Sequence, residues 1–177
     1  MKLIKKITFI IIFLFININA FGAVSGVVDN FQVTQRIATG VVFNPDGTKM
    51  YISGMSQNRV YEFDLTTGFD ISTATRNSNE CNHQPKDEDV LDLRLNSDGT
   101  KLFIVGSENN IILEYSLTTA YDVSTCSYEN TFFSGDGLDP RSMAFNTNGT
   151  KLFIYDQTGN YSVKQYSLNS AYNLTNA

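Results

Sequence analysis

An all-β fold of the β-propeller type, with three four-stranded antiparallel blades, is predicted by three features of the sequence. The chain of 177 residues contains three near-copies of one segment of about 50 residues. Each copy includes a strand that is apolar on both faces and therefore has to be covered on both sides. Tyr (9) and Phe (13) are frequent whereas Pro (3) and Trp (0) are scarce, which favours β structure.

The first segment of the chain has the pattern of an export signal. Residues 1–20 begin with a lysine-bearing stretch, continue with an apolar run from Ile7 to Ile16 and end at Ala20. The run is too short to cross a bilayer, which needs ~20 residues, and the pattern is typical of a secretory signal peptide. We expect 1–20 to be removed, leaving 21–177 as the repeat domain; an uncleaved N-terminal anchor is the alternative.

Charge and location follow from this assignment. The whole chain has a net charge of −5, and the segment to be removed carries three lysines and no acid, so 10 basic and 18 acidic residues remain. A chain this acidic is not expected to bind nucleic acid or an anionic membrane surface. We expect a secreted, periplasmic or cell-surface protein with no membrane insertion after signal cleavage.

Each copy begins with a strand followed by the same turn. Gly47, Gly99 and Gly149 mark this turn in the three copies and are 52 and 50 residues apart. The turn reads Asn-Pro-Asp-Gly-Thr-Lys, Asn-Ser-Asp-Gly-Thr-Lys or Asn-Thr-Asn-Gly-Thr-Lys. Asp-Gly and Asn-Gly tolerate positive φ and are the strongest short signal for a hairpin.

Three further strands are predicted after the turn. The second is the strand that is apolar on both faces, such as Leu-Phe-Ile-Val from Leu102. The third alternates, as in Tyr61, Phe63 and Leu65, and in the last copy its apolar residues, Val163 among them, follow with a shift. A fourth, weaker strand comes after a Thr-Thr-x-aromatic-Asp segment. A β-sandwich is the alternative, but each of its sheets would keep one polar face.

The blades are expected at about 36–82, 88–134 and 138–177. The third copy ends where its fourth strand should begin, and 24–35 has the composition of a strand that would complete it, in this molecule or in a neighbour. Three blades are fewer than the usual 4–8. Two chains joined as a homodimer in a six-bladed ring, or one piece of a longer propeller, would explain the count.

The repeated strings carry a family resemblance. Phe-Asn-x-Asp-Gly-Thr-Lys-Leu-Phe-Ile followed by Tyr-x-Leu-Thr-Thr-Ala-Tyr-Asp-Val-Ser-Thr is similar to the repeats of the YVTN-type, lactonase-like bacterial β-propeller family. The resemblance covers essentially all of 21–177. It implies a propeller of the kind found in secreted and cell-surface proteins, and it implies little about activity, because this fold has many functions.

Acidic residues gather where the loops enter the innermost predicted strands. If these loops share one rim, the acids line the mouth of a central channel, where convergent carboxylates would suit Ca²⁺; solvated loop charges are the favoured interpretation, and no cofactor is expected. Arg94 lies in an innermost strand on the same face as Asp92, so this pair either lines the channel or forms an internal ion pair. The candidate ligand-binding residues are Asp87, Glu88, Asp89, Asp92, Arg94, Asp136 and Asp139.

The cysteines and the single histidine are the remaining reactive groups. A disulfide between Cys81 and Cys126 suits an exported protein, but the blade pattern places the two residues on opposite rims, and a bridge needs Cα atoms within about 7 Å. We therefore expect two separate thiols, with the disulfide as the alternative. His83 is expected in a solvated loop, since zinc and Ser-His-Asp chemistry have no further support.

The function predicted from these features is an exported binding or surface-interaction module with a protein or carbohydrate ligand that the sequence does not identify. All of 21–177 is assigned to repeats, which leaves no inserted loop for catalysis. A lactonase-like or glycosidase-like hydrolase that uses the acidic loops is the first alternative, and a fragment of a longer propeller with no role of its own is the second.

Overall fold

The computed structural model describes residues 29–33, 37–84, 86–132 and 137–175, and there the predicted all-β fold is confirmed. In this part of the chain eleven strands form three antiparallel sheets, which we call the first, second and third blades. The predicted signal peptide, Asp136 and most of the predicted closing strand 24–35 lie outside the described residues. None of the described helices, which are short 3-10 turns, has the length and hydrophobicity that crossing a bilayer requires.

The strands of each blade follow one another in chain order, and every neighbour is antiparallel. The first blade contains β1 (Ala38–Phe43), β2 (Lys49–Gly54), β3 (Arg59–Leu65) and β4 (Ala74–Asn82). The second contains β5 (Val90–Leu95), β6 (Lys101–Gly106), β7 (Ile111–Leu117) and β8 (Cys126–Phe132). The third contains β9 (Pro140–Phe145), β10 (Lys151–Asp156) and β11 (Ser162–Ser167), so β11 is its last described strand.

The blades pack face to face, with the first strand of each against the first strand of the next. We call the face toward the preceding blade the front face and the opposite one the rear face. The rear face of the first blade (Tyr51, Val60) packs on the front face of the second (Leu93, Leu113) in one core cluster. A second cluster joins the rear face of the second blade to the front face of the third. This stacking explains why the second strand of each copy is apolar on both faces.

The Asp-Gly or Asn-Gly turn of each copy is held by an aromatic residue from the segment that follows the third strand. Gly99 has a φ of 71°, and a Cβ there would lie 2.5 Å from the Tyr121 ring, so only glycine fits. The Tyr121 N–H donates to the Gly99 carbonyl oxygen over 2.8 Å. Phe69 on Gly47 and Tyr172 on Gly149 repeat the arrangement. The glycine turn and the Thr-Thr-x-aromatic-Asp segment, which the first two copies share in sequence, therefore pack against each other.

A buried glutamate connects each of the first two blades to the blade that follows. The Val123 N–H donates to Glu62 Oε2 over 3.1 Å, and the Leu174 N–H donates to Glu114 Oε2 over 2.9 Å. Lys49 and Lys101 pair with the other carboxylate oxygen of Glu62 and of Glu114. Since the side chains of both glutamates are almost fully buried, these ion pairs and amide hydrogen bonds fix the blades against one another.

Cys81 and Cys126 form a disulfide with Cα atoms 5.8 Å apart, so the expectation of separate thiols on opposite rims was wrong. Cys81 lies near the end of β4, and Cys126 is the first residue of β8. The loop before β8 leans back across the first blade, where Val123 packs in the same core cluster as Cys81. This crossing places the start of one outer strand beside the end of the previous one, because neighbouring sheets are twisted.

Candidate interaction surface and the acidic rim

Asp87, Glu88, Asp89 and Asp139 lie on one rim, since each comes just before the first strand of a blade. Asp87 is buried there, with 1% of its surface exposed. Its carboxylate accepts the N–H groups of Asp89 (3.0 Å) and Asn109 (2.9 Å). Asp87 therefore holds its own loop against the neighbouring hairpin rather than facing solvent.

The other rim acids are engaged separately. Glu88 accepts a hydrogen bond from the Gln84 side chain, and Asp89 is exposed. Asp139 pairs with Arg141 over 2.8 Å, and its N–H donates to Asp156. Burial raises the pKa of Asp156, but the N–H groups of Asp139 and Thr158 lower it more, and the pKa stays well below its usual range. Among the described residues, no three His, Cys, Asp or Glu side chains are grouped as they would be to hold a metal ion.

Asp92 and Arg94 lie on the first strand of the second blade and form an ion pair at 2.6 Å. The Asp92 carboxylate also accepts the N–H of Met143, on the first strand of the third blade, over 3.1 Å. Asp92 is 7% exposed, so its charge is used mainly inside the molecule, whereas a third of the Arg94 side chain or more is open to solvent. Of the predicted site residues, Asp92 thus joins the second blade to the third, and Arg94 pairs with it from the same strand.

The rear face of the third blade is a further exposed surface, and the acidic residues of the sequence do not indicate it. Val163 on this face is 68% exposed, although Val60 and Ile112 at the same position of the other blades are 0% exposed. Tyr155 is 39% exposed, although its counterpart Val105 is 0% exposed. We call this surface the open rear face; it comprises Ser142, Ala144, Phe153, Tyr155, Val163 and Gln165.

The register of the third blade explains the shift that the sequence shows at Val163. Val163 pairs with Tyr155 as Ile112 pairs with Val105, so it takes the place of Ile112 rather than that of Leu113. The shift seen in the sequence is therefore a change of face, since neighbouring residues of a strand point to opposite sides. Comparing the three copies position by position would have revealed this surface.

A groove of about 230 Å³ runs along the inner part of the open rear face. Arg94 closes one side, so the groove combines an apolar wall with a guanidinium group. Its lining consists of Arg94, Ser142, Met143, Ala144, Phe153, Tyr155 and Val163.

The front face of the first blade, at the opposite end of the array, is partly covered. Phe31 and Val33 pack against its apolar cluster, with the Phe31 and Phe63 rings edge to face at 5.3 Å. Nearer the innermost strand the same face is open, and Val41 is 58% exposed although its counterparts Leu93 and Met143 are at most 2% exposed.

His83 lies on the acidic rim but is not the solvated residue that the sequence predicted, because it is fully buried. Its Nδ1 lies 2.8 Å from the Asp87 carbonyl oxygen, so Nδ1 carries the proton and donates. Nε2 has no hydrogen-bond partner among the described residues. Burial lowers the pKa of His83, and the Asp87 carbonyl and carboxylate oppose this only in part.

We expect acid to destabilise the fold through His83. Its folded pKa lies below the unfolded value of about 6.5, so the unfolded chain takes up a proton that the folded chain excludes. Stability is then complete above the unfolded pKa and falls by up to about 1.4 kcal/mol per pH unit until the folded pKa is reached. Urea unfolding at pH 7 and pH 5 measures this; His83→Asn, which keeps a donor for the Asp87 carbonyl, should lose the dependence, and equal slopes in both proteins would contradict it.

The chain was compared with family models, curated proteins and solved structures, and the solved structures match its fold. No family model and no curated protein matches the chain. A protein provisionally assigned as a 6-phosphogluconolactonase from Bacteroides uniformis matches with a TM-score of 0.56 and 13% identity over 75% of this chain and 37% of its own. A functionally unknown protein from Desulfotomaculum acetoxidans matches with a TM-score of 0.57 and 18% identity over 76% and 40%.

The third comparison is the Cps50 (Swd1) β-propeller domain from Myceliophteria thermophila, with a TM-score of 0.50 and 15% identity over 73% of this chain and 39% of the other. The chain has a β-propeller fold like that of the lactonase-like proteins. At these identities the likeness concerns the fold alone. The chain spans about two fifths of the length of each of these proteins.

Proposed function

We propose that this protein is an exported β-propeller module that acts by binding a protein partner through its open rear face. The observation that carries the proposal is the exposure of Tyr155 and Val163 at positions that are buried between blades elsewhere in the chain. An apolar surface of this kind, with a guanidinium at its edge, is characteristic of an interaction site.

Export is supported by two independent features. The pattern of 1–20 is that of a signal peptide. The bond between Cys81 and Cys126 suits a secreted or periplasmic protein, because disulfides persist in oxidising compartments. The proposed locations are thus the periplasm, the cell surface or the medium.

Binding is favoured over catalysis because three of the predicted acidic site residues are engaged in the fold, whereas Glu88 and Asp89 are exposed. Asp87 accepts backbone N–H groups, Asp92 holds the third blade and Asp139 pairs with Arg141. A glycosidase would need two carboxyl groups about 5–9.5 Å apart across a cleft, and these acids serve separate structural contacts instead. The hydrolase alternative therefore has less support than a binding role.

A protein partner suits the surface better than a carbohydrate. Beside the apolar wall lies β11, the last strand of the third blade, whose described neighbour is β10 on one side. Among the described strands nothing pairs with the other edge of β11, and a strand edge of this kind next to exposed Tyr155 and Val163 can accept an extended segment of another chain through main-chain hydrogen bonds.

Photo-crosslinking in the cells that naturally make the protein tests the proposal. A benzophenone amino acid replaces Tyr155 on the open rear face, or Tyr128 on the outer strand of the second blade, which is similarly exposed (39% and 38%). We expect a protein adduct from position 155 in the exported fraction and none from position 128. Equal crosslinking at both positions, no adduct at 155, or a chain that stays in the cytoplasm with residues 1–20 attached would contradict the proposal.

A further inference from the structure

We infer that the partner of the open rear face is the front face of the first blade in a second copy of this chain, so that two copies close head to tail into a ring of six blades. This inference rests on the proposed function and names its partner. It is carried by the match between the two ends of one molecule.

The exposed positions at the two ends are those that meet inside the array. Within the chain, Val60 and Ile112 of the rear faces belong to the same core clusters as Leu93 and Met143 of the front faces, respectively. At the ends of the array these two positions are Val163, 68% exposed, and Val41, 58% exposed. The surface that is missing from each end is thus the surface that the other end presents.

The N-terminal segment occupies the place of an outer strand. Between the second and third blades, Phe132 at the end of β8 meets the Tyr166 ring edge to face at 5.1 Å. On the first blade, Phe63 corresponds to Tyr166 and receives Phe31 in the same way, at 5.3 Å. Phe31 therefore lies where the fourth strand of a preceding blade would place its aromatic residue.

The third blade has the complementary gap. Three strands of this blade are described, and β11 is the outermost of them. In the ring, residues 29–33 of one copy lie beside β11 of the other and provide the fourth strand, while Val41 packs toward Val163. One contact then covers both an open strand edge and an open face.

The hydrogen bond between blades also has its counterpart at the ends. Glu62 and Glu114 accept the N–H of Val123 and Leu174 from the following blade. Gln165 holds this position in the third blade, since it pairs with Phe153 as Glu114 pairs with Phe103. Its amide oxygen can accept the N–H of Ile71, the residue of the first blade that corresponds to Val123. A neutral acceptor costs less to take out of water when the two copies associate than a carboxylate would.

Two copies of three blades close a ring with a number of blades that known propellers have. A head-to-tail contact joins different surfaces, so it ends only when the ring closes. Two chains of three blades give six, which is within the 4–8 blades of known propellers. The contact leaves no free end face, whereas a contact between two rear faces would leave both front faces open.

The solution mass of the processed, oxidised chain tests this inference. We expect light scattering to give the mass of two copies. Val41→Arg and Val163→Arg should each give single chains, because an unpaired arginine in the contact weakens it by about 100-fold or more. Both valines are exposed in a single copy, so the folded chain tolerates either substitution. Ser127→Arg on the exposed edge strand β8 is the matched control, and this variant should remain a dimer.

A mixture of the two variants distinguishes the geometry. The Val41→Arg chain retains its rear face and the Val163→Arg chain retains its front face. The mixture should therefore form a heterodimer, although each variant alone is a monomer. Single wild-type chains, larger open assemblies, a pair that survives either substitution, or no mixed pair would overturn the inference. If the wild-type chain is single and still crosslinks from position 155 to another protein, the proposed binding function stands and the ring does not.

Discussion

Replacing both Cys81 and Cys126 with alanine is expected to lower the free energy of unfolding by about 4 kcal/mol. The disulfide closes a loop of 45 residues of sequence separation, and a cross-link of this span removes about that much unfolded-state entropy. It also holds the outer strand of the first blade to the start of the outer strand of the second. Urea unfolding of the oxidised wild type and of the double variant measures the difference.

Reduction provides the matched control for this prediction. The wild-type chain treated with a thiol reductant should unfold at the same urea concentration as the double variant, and the variant should not respond to the reductant. If the oxidised wild type and the variant unfold at the same midpoint, the disulfide has no role in the stability of the two blades.

Glu62→Ala is expected to cost about 3 kcal/mol, because it removes a buried carboxylate that two blades share. Glu62 is fully buried and accepts the amide N–H of Val123, the Lys49 ammonium and the side-chain amide of Asn77. Without it, the Val123 N–H is left in the contact between the blades with no acceptor. Denaturant unfolding measures the loss.

Asp64→Ala is the matched control for Glu62, since Asp64 pairs with the same Lys49 at 3.1 Å but has 54% of its side chain exposed. An exposed pair of this kind contributes about 0–1 kcal/mol. If the two alanine variants lose equal stability, the burial of Glu62 and its hydrogen bond to the next blade do not matter.

Much of the fold could be predicted from the sequence because local patterns determine it. The Asp-Gly turns at Gly47 and Gly99 define hairpins wherever they occur. The apolar run from Leu102 to Val105 requires cover on both faces, and the structure buries all four residues completely. These signals depend on neighbours along the chain, so no three-dimensional information was needed.

The errors concern contacts that depend on how the blades cross. The pairing of Cys81 with Cys126 follows from the loop that leans across the first blade, and strand order alone says nothing about that angle. His83 is buried although its own segment is polar, and it is held by hydrogen bonds to the carbonyl oxygens of Asn58, in the neighbouring hairpin, and Asp87. Asp87 was expected as a solvated loop charge or an open ligand, and the sequence does not show that backbone N–H groups of its own loop and of the neighbouring hairpin bury its carboxylate.

The uniform contact between blades also bears on how such chains change in evolution. The two described junctions join a rear face to a front face through the same glutamate position, as Glu62 with Val123 and Glu114 with Leu174 show, although the disulfide belongs to the first junction. A gene that gained or lost one copy of the repeat would still encode a rear face and a front face that fit at each contact between blades. The number of blades is therefore limited by the angle between neighbouring blades, which has to close a circle. The residues at the contacts between blades do not limit it.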